Sequence, residues 1–560
     1  MKILLTLFAA VLFLEGYGQQ SRHIIQLANK NNNPYSLNRP AEYLSAKAIE
    51  RRNRYRIKLD STDLPITPAY LDSIRAAGAV TILNQSKWLN QVLVRTTDAA
   101  ALAKIQSLPF VVKTAPIATR PMVVAAPVEK FNETVTDLPQ GIAQTNQVTA
   151  NYYDYGNMLG QIQLHEGEFL HDNGFRGEGM TVAMLDAGYF GYLTNPAFDS
   201  IRLNGQILGT WDFVRNESSV NEDNIHGMYC LSIMAANRPG VMVGSAPRAK
   251  YYLFRTEDGA TEFPVEEQNW IAAAEMADSL GVDLITSSLG YYQFDDPVYN
   301  HTYADMDGKT TMVTRGADLA AGKGILVCNS AGNSGASAWK YIIAPADGDS
   351  VLAVGAVDVN GQVASFSSFG PSADGRIKPD VASVGWRTTI AHTNGTPRSG
   401  NGTSFSNPNM AGLALCLWQA YPEFSNIEII ETLRLMSSKA VSPDDRIGYG
   451  IPNLRLAYEY LGRERVRRNA AKTLGDAAIK VYPVPFGAQF TALYLGRAGG
   501  RVSFELLDAS GKQLQVKYLD NTLQGEYYFV PFAGMDRFPS GVYYLRMNDA
   551  QGTVVTRIMK

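Results

Sequence analysis

The pattern of apolar and polar positions divides the chain into blocks of different texture. Over residues 21–117 it is mixed: RHIIQLA (22–28) and WLNQVLVRT (88–96) read as strands. AEYLSAKAIERR (41–52) and DAAALAKIQSL (98–108) carry apolar residues at helical spacing, and FVVKTAP (110–116) returns to strand. An α+β unit of about 100 residues fits this order. Between 118 and 149 the periodicity fades into Pro, Thr, Gln and Asn, the texture of a linker and a natural place for cleavage.

From 152 to 461 short apolar runs alternate with helical stretches. The strand candidates are MTVAML (180–185), KYYLFRT (250–256), VDLITSS (282–288), GILVCNS (324–330) and VLAVGAV (351–357). NWIAAAEMADSL (269–280) and GADLAAGK (316–323) are helical. Continuous apolar strands separated by helices predict an α/β fold, a parallel sheet covered on both faces. In such sheets ligands gather at the carboxyl ends of the strands. After the basic stretch RERVRRNAAK (463–472), short alternating strands such as RVSFELLD (501–508) and GVYYLRM (541–547) are separated by turn signals such as ASGK (509–512) and DAQG (549–552). They predict a small C-terminal β-sandwich.

At 560 residues the chain is too long for one ordinary domain, and a 46% hydrophobic, 18% charged composition excludes wholesale disorder. Fifty basic against 53 acidic residues, net −3, give no electrostatic reason for a nucleic acid or membrane-surface partner. Cys230, Cys328 and Cys416 cannot make a disulfide framework, and no C-x-x-C pair supports a thiolate zinc site. Residues 1–18, MKILLTLFAAVLFLEGYG, have the lysine, apolar run and small-residue end of a secretory signal peptide, with Gly16 and Gly18 at the −3 and −1 positions. The run is shorter than the roughly 20 apolar residues that spanning needs, and no later stretch approaches that length. Export without a transmembrane segment is therefore expected.

The residues that carry chemistry lie where strands end. Asp186 follows MTVAML, His226 opens the helical run NIHGMYCLSIMAA, and Ser404 sits at a loop-to-helix junction in NGTSFSNPNMAG. Alone, each also fits a turn former, a structural histidine or a helix cap. Together they supply what nucleophilic acyl transfer requires: a hydroxyl, a base to take its proton, and a carboxylate to hold the base in one tautomer. Asn333, in SAGNSG (330–335) directly after a strand, is placed to donate to an oxyanion.

These pieces resemble the catalytic domain of the subtilisin-like serine proteases (subtilases). The matching segments are VAMLDAG around Asp186, His226-Gly227, SSLG (287–290), SAGN (330–333) and GTSFSNPNMAG (402–412), in family order. The resemblance implies a parallel sheet with helices on both faces, with Ser404 as nucleophile, His226 as general base and then acid, and Asp186 orienting the imidazole. It implies Asn333 and the Ser404 backbone N–H as oxyanion donors. Ser288, Leu289 and Gly290 would pair with an extended substrate backbone, faced by Ala331 and Gly332. No metal and no cofactor is required; calcium at the acidic NEDN (221–224) stays open as an alternative, without calcium-loop spacing to support it.

There are departures: His-Gly-Thr-His reads His226-Gly227-Met228-Tyr229, Phe405-Ser406 replace Met-Ala, and Asn409 stands where His is frequent. His165-Glu166 resembles a metalloprotease motif, but the next histidine, His171, is six positions on and not four, so the two cannot share a helix face. Cys230, four residues after His226, is expected beneath the imidazole.

The flanks resemble accessory domains of the same kind of enzyme. Residues 19–117 resemble a subtilase propeptide, with maturation cleavage expected within 118–151; the catalytic domain spans 152–461, followed by a linker at 462–476. Residues 477–560 resemble the C-terminal sorting domain of type IX secretion in Bacteroidota, through VYPVPF (481–486), FPSGVYYLRM (538–547) and the closing VVTRIMK. The implied protein is a serine endopeptidase acting on proteins or peptides, partnered by its own propeptide and by the type IX machinery. It would be exported through the periplasm to the cell surface or medium. The alternative is a catalytically silent surface binding protein on the same scaffold. A serine esterase reading fails for want of a Gly-x-Ser-x-Gly elbow at Ser404.

Overall fold

A computed structural model describes residues 21–118, 130–131, 133–138 and 151–560; the segment 1–18, read as a signal peptide, and most of the stretch read as a maturation linker lie outside the described residues. The chain forms two compact units, Met1–Tyr458 and Glu459–Lys560.

The first unit begins with a four-stranded antiparallel sheet in the order β2-β3-β1-β4, made of β1 (Ser21–Leu27), β2 (Thr81–Ser86), β3 (Gln91–Thr96) and β4 (Val111–Ala118). Helices α1 (Ala46–Tyr55), α2 (Pro68–Arg75) and α3 (Ala99–Gln106) accompany it, and Ile25, Leu27, Val92, Val94, Ile74 and Ile105 form the core. The run read as one strand over 88–96 is strand only from Gln91, and the preceding TILNQS pairs back on it as β2. Its Asn-Gln-Ser end breaks the apolar alternation that would have announced it.

The central sheet of this unit has seven strands, all paired in parallel, in the order β12-β11-β10-β9-β6-β8-β7. They are β6 (Thr181–Asp186), β7 (Ile207–Asp212), β8 (Lys250–Arg255), β9 (Leu284–Ser287), β10 (Leu326–Ser330), β11 (Val351–Val357) and β12 (Val381–Val384). A three-residue strand, β5 (Thr134–Thr136), precedes them and belongs to another sheet.

Helices α5 (Val265–Leu280) and α6 (Met312–Gly322) pack on the side chains of Ala183, Leu185, Ile285 and Val327. Helices α4 (His226–Ala235) and α7 (Thr403–Ala420) pack against each other and on the sheet. Burial from both faces explains the continuous apolar runs of the inner strands. The edge strands β7 and β12 were not anticipated: the first is half-exposed and broken by Gly209 and Thr210, and the second has only four residues.

The N-terminal sheet and α1 dock on α5. Arg51 and Arg52 form buried ion pairs with Asp278, and the Glu275 carboxylate accepts from Ser86 Oγ, the Lys87 N–H and the Trp88 N–H. Burial pushes Glu275 up to about 7.

In the second unit, Ile479–Tyr482, Gln489–Leu495 and Tyr527–Ala533 form one antiparallel sheet, and Gly500–Leu507, Gln513–Thr522, Val542–Asp549 and Gly552–Met559 another. Phe490 and Phe532 from the first sheet share one core with Phe504, Leu545 and Met547 from the second, the construction of a β-sandwich. The stretch 462–476, read as a linker, is helical as far as Leu474, within Leu454–Leu474; its Arg, Lys and Ala are strong helix formers. Among the described residues no helix is long and apolar enough to cross a membrane.

Candidate active site

The parallel sheet delivers its chemistry to one edge. Asp186 is the last residue of β6, Asn333 lies in the loop just after β10, His226 is the first residue of α4, and Ser404 is the second of α7. The start of α4 is held by Asn224, whose side-chain oxygen accepts from the His226 N–H at 2.8 Å. Gly227 is required for this approach: a Cβ there would lie 2.5 Å from the Gly188 carbonyl oxygen and 2.9 Å from Asp186 Cβ. The His-Gly pair is thus what lets the helix bring its imidazole against the strand end.

His226 Nδ1 lies 2.7 Å from Asp186 Oδ1, with both side chains buried. Burial works against a charged ring, but Asp186, with Glu133 beyond, outweighs it and holds the imidazole pKa well above its usual value. Cys230 lies beneath, as expected, 4.0 Å from Nδ1, and its thiol donates to the Ser404 carbonyl oxygen at 3.3 Å. Burial pushes that thiol up to about 11, so it is a neutral packing group at physiological pH.

Asn333 is oriented by a neighbour that sequence reasoning missed. Its side-chain oxygen accepts from the Thr403 N–H at 2.8 Å and from Thr403 Oγ1 at 2.9 Å, which aims its NH₂ group into the cleft. Thr403 Oγ1 also accepts from the Gly332 N–H at 3.2 Å, and Gly332 has φ +107°, a conformation that favours glycine.

A segment of the chain already occupies this site. Ser404 Oγ donates to Glu133 Oε1 at 2.6 Å, and Asn333 Nδ2 donates to the same oxygen at 3.0 Å. His226 Nε2 is 3.6 Å from that oxygen and has no hydrogen-bond partner. Burial opposes the Glu133 charge, but the imidazolium and the Ser404 hydroxyl hold it below the usual carboxylate range. The Phe131 ring covers the imidazole, with centroids 4.4 Å apart. Beyond Glu133 the chain continues as β5, which pairs antiparallel with Pro397–Asn401, the strand that leads into α7. Glu133 Oε1 therefore lies within hydrogen-bond reach of both the Ser404 hydroxyl and the Asn333 amide.

The residues expected to bind substrate gather nearby. Ser288, Leu289, Gly290 and Gly332 line one cleft of about 400 Å³ with Asn333 and Ser404, and Ser288 Oγ donates to the Ser404 carbonyl oxygen at 2.9 Å. Ala331 is fully buried, with its N–H committed to the Val354 carbonyl oxygen. Strand addition by a substrate is expected at 288–290; within the chain itself β5 pairs with Pro397–Asn401.

His165 and His171 do not converge. His165 is spent on the Pro452 carbonyl oxygen and Ser383, His171 on Tyr155 and the Ser245 carbonyl oxygen, and burial pushes both down to about 4. Among the described residues two groups have metal-ligand spacing: Asp186, His226 and Cys230, closed by the bonds above, and Glu257, Glu262 and Glu266, which surround the Lys130 ammonium.

The buried titrating groups predict how stability depends on pH. Glu275, raised to about 7, Glu262, raised to about 8, and His226 and His301, both raised, each stabilise the fold below their unfolded pKa and lose that contribution as pH climbs through the folded value. His165 and His171, depressed to about 4, act oppositely, but their contribution is complete above about 6.5. The melting temperature of the Ser404→Ala chain will therefore fall between about pH 6.5 and 8. Calorimetry across that range checks this, and a flat or rising curve contradicts it.

Parallel strands that bring a carboxylate, an imidazole and a hydroxyl to one edge place the chain in the class of serine-type endopeptidases with an α/β sheet. Comparison with known proteins narrows the class. Residues 177–450 match the model of the "Subtilase family", and residues 22–132 match the "Peptidase S8 propeptide domain, Bacteroidota". Subtilisin DY of Bacillus licheniformis is 30% identical over 292 residues, covering 52% of this chain and 93% of the relative. Subtilisin BL of Lederbergia lenta is 29% identical over 291 residues, covering 51% and 93%. Serine protease AprX of Bacillus subtilis (strain 168) is 30% identical over 303 residues, covering 49% of this chain and 64% of the relative. The chain belongs to the subtilase family.

Proposed function

We propose that this chain is an exported subtilase zymogen that hydrolyses peptide bonds through Ser404, His226 and Asp186, and that residues 130–138 restrain it until they are cut. The observation that carries the reading is the convergence of Ser404 Oγ and Asn333 Nδ2 on a single oxygen beside an imidazole already bonded to Asp186. With a substrate carbonyl in place of the Glu133 carboxylate, Ser404 Oγ attacks the carbonyl carbon and His226 Nε2 takes the hydroxyl proton. Asp186 holds the opposite ring nitrogen protonated and stabilises the imidazolium. Asn333 Nδ2 steadies the oxyanion, and the imidazolium returns its proton to the leaving amine. A water then enters by the same base to release the acyl group. Every step uses side chains of this chain, so no cofactor is invoked.

In the uncut chain Glu133 opposes this chemistry in two ways. It occupies the oxyanion position, and its charge adds to that of Asp186 in favouring the protonated form of His226, which cannot act as a base. The N-terminal block docked on α5 fits the role of a propeptide. The apolar N-terminal segment and the sorting-domain motifs of the C-terminal sandwich support export and delivery through type IX secretion to the surface or medium.

A fluorophosphonate probe will label the self-processed enzyme, and labelling will vanish in Ser404→Ala; an unlabelled wild type overturns the reading. Asn333→Ala will lower kcat about 10²–10³-fold with little change in KM, the magnitude seen for the oxyanion asparagine of subtilisin itself. Steady-state peptide hydrolysis checks this, and a loss under tenfold contradicts the assigned role.

A further inference from the structure

One buried cluster lies beside the catalytic machinery and is not used by it. Glu257 follows β8, Glu262 lies in the loop before α5 and Glu266 in its first turn; all three are buried. Their oxygens lie 3.1, 3.0 and 2.5 Å from Lys130 Nζ. Two of the carboxylates are fixed without help from the lysine. Glu257 accepts from the Tyr291 hydroxyl, and Glu266 from the N–H groups of Asp258 and Phe263, in the first turn of a helix where negative charge is favoured. Glu257 and Glu262 share the cleft that also holds Ser288, Gly290 and Ser404.

Burial and the mutual repulsion of three clustered carboxyls raise Glu262, to about 8, and Glu266, a penalty on their charged forms that the Lys130 ammonium opposes. The cation that offsets it is borne by the same segment that blocks Ser404, one residue before the Phe131 ring that covers His226. A pocket whose carboxylates are held in place by protein bonds remains shaped for a cation when that segment leaves.

We propose that Glu257, Glu262 and Glu266 form a specificity pocket for a lysine or arginine side chain on the acyl side of the scissile bond, with Lys130 as its resident occupant in the uncut chain. This rests on the reading of residues 130–138 as a segment lying in the substrate cleft. A neutral side chain of the same length deprives the cluster of the cation that favours its charged form, so discrimination arises from that loss more than from new contacts.

The test uses enzyme that has processed itself from the full chain, with internally quenched peptides carrying Lys, Arg, norleucine, Gln or Glu at each of the four acyl-side positions. One position will favour Lys and Arg by about 30-fold or more in kcat/KM over norleucine and Gln. That preference will collapse in Glu262→Gln while the rate of fluorophosphonate labelling stays unchanged. Glu257→Gln serves as a second variant should the first fail to fold. Peptide cleavage with no basic preference at any acyl-side position overturns the inference alone, as does a preference that survives in both variants. Loss of the preference on adding Ca²⁺ also overturns it, because the carboxylates then serve a metal. A chain that neither labels nor cleaves overturns the catalytic reading, and the pocket's role falls with it.

Discussion

Ser404→Ala will lower peptide hydrolysis by about 10⁶-fold, the magnitude measured for loss of the nucleophile in subtilisin itself. The size follows from what is removed. Ser404 Oγ is the only one of the gathered groups placed to form the acyl bond, and without it the cleft keeps only what Asn333 and substrate positioning supply. Cys230 offers no substitute, because its thiol is buried, turned to the Ser404 carbonyl oxygen and held neutral. The alanine chain should fold as the wild type does, since the Ser404 carbonyl contacts with Ser288 and Cys230 belong to the backbone. Circular dichroism and melting temperature check the fold, while kcat/KM on a quenched peptide checks the loss. Residual activity above about one part in 10⁴ contradicts the assignment.

Asp186→Asn will lower kcat by about 10⁴-fold and leave KM close to its original value. Asp186 Oδ1 accepts from the Nδ1 side of His226 at 2.7 Å, which in the neutral ring leaves Nε2 with its lone pair toward the cleft. An asparagine amide in that position donates to Nδ1, moves the ring proton to Nε2, and so removes the base while preserving shape. The variant also loses the negative charge that most strongly outweighs burial of the imidazole, so its pKa must fall. Measuring kcat and KM separately distinguishes this from a binding defect. A rise in KM at constant kcat would show that Asp186 shapes the cleft without orienting the base.

The positions of Asp186, His226 and Ser404 were legible because a parallel sheet gathers polar groups where apolar runs stop. Asp186 closes a fully buried strand, Ser404 follows Gly402-Thr403 at the junction of the strand Pro397–Asn401 with α7, and His226 stands before a glycine that a close helix–strand approach demands. The inner strands showed as continuous apolar runs for the same reason, burial on both faces. Elements that lacked this signature were missed. The edge strands Ile207–Asp212 and Val381–Val384 are short or half-exposed, and Thr134–Thr136 has three residues with no apolar period.

What composition and spacing could not reveal were partnerships between distant residues. Glu133 meets Ser404 and Asn333 only through the fold. Thr403, adjacent to the nucleophile, reads as part of a motif until its hydroxyl and N–H are seen orienting the Asn333 amide. The three glutamates around Lys130 come from separate turns of chain and carry no motif that joins them. Charge is expensive to bury, so sequence reading defaults to solvating it, and the default fails where the charges are collected for a purpose.

The central claim is that Ser404 is a working nucleophile held in check by the chain's own segment at residues 130–138. Intact mass spectrometry of wild type and Ser404→Ala, expressed in parallel from residue 19, tests it most directly. The wild type should shed its N-terminal block through a cut within residues 130–136, while the alanine chain keeps its full mass. Identical full-length masses for both, with no fluorophosphonate label on the wild type, would contradict the account.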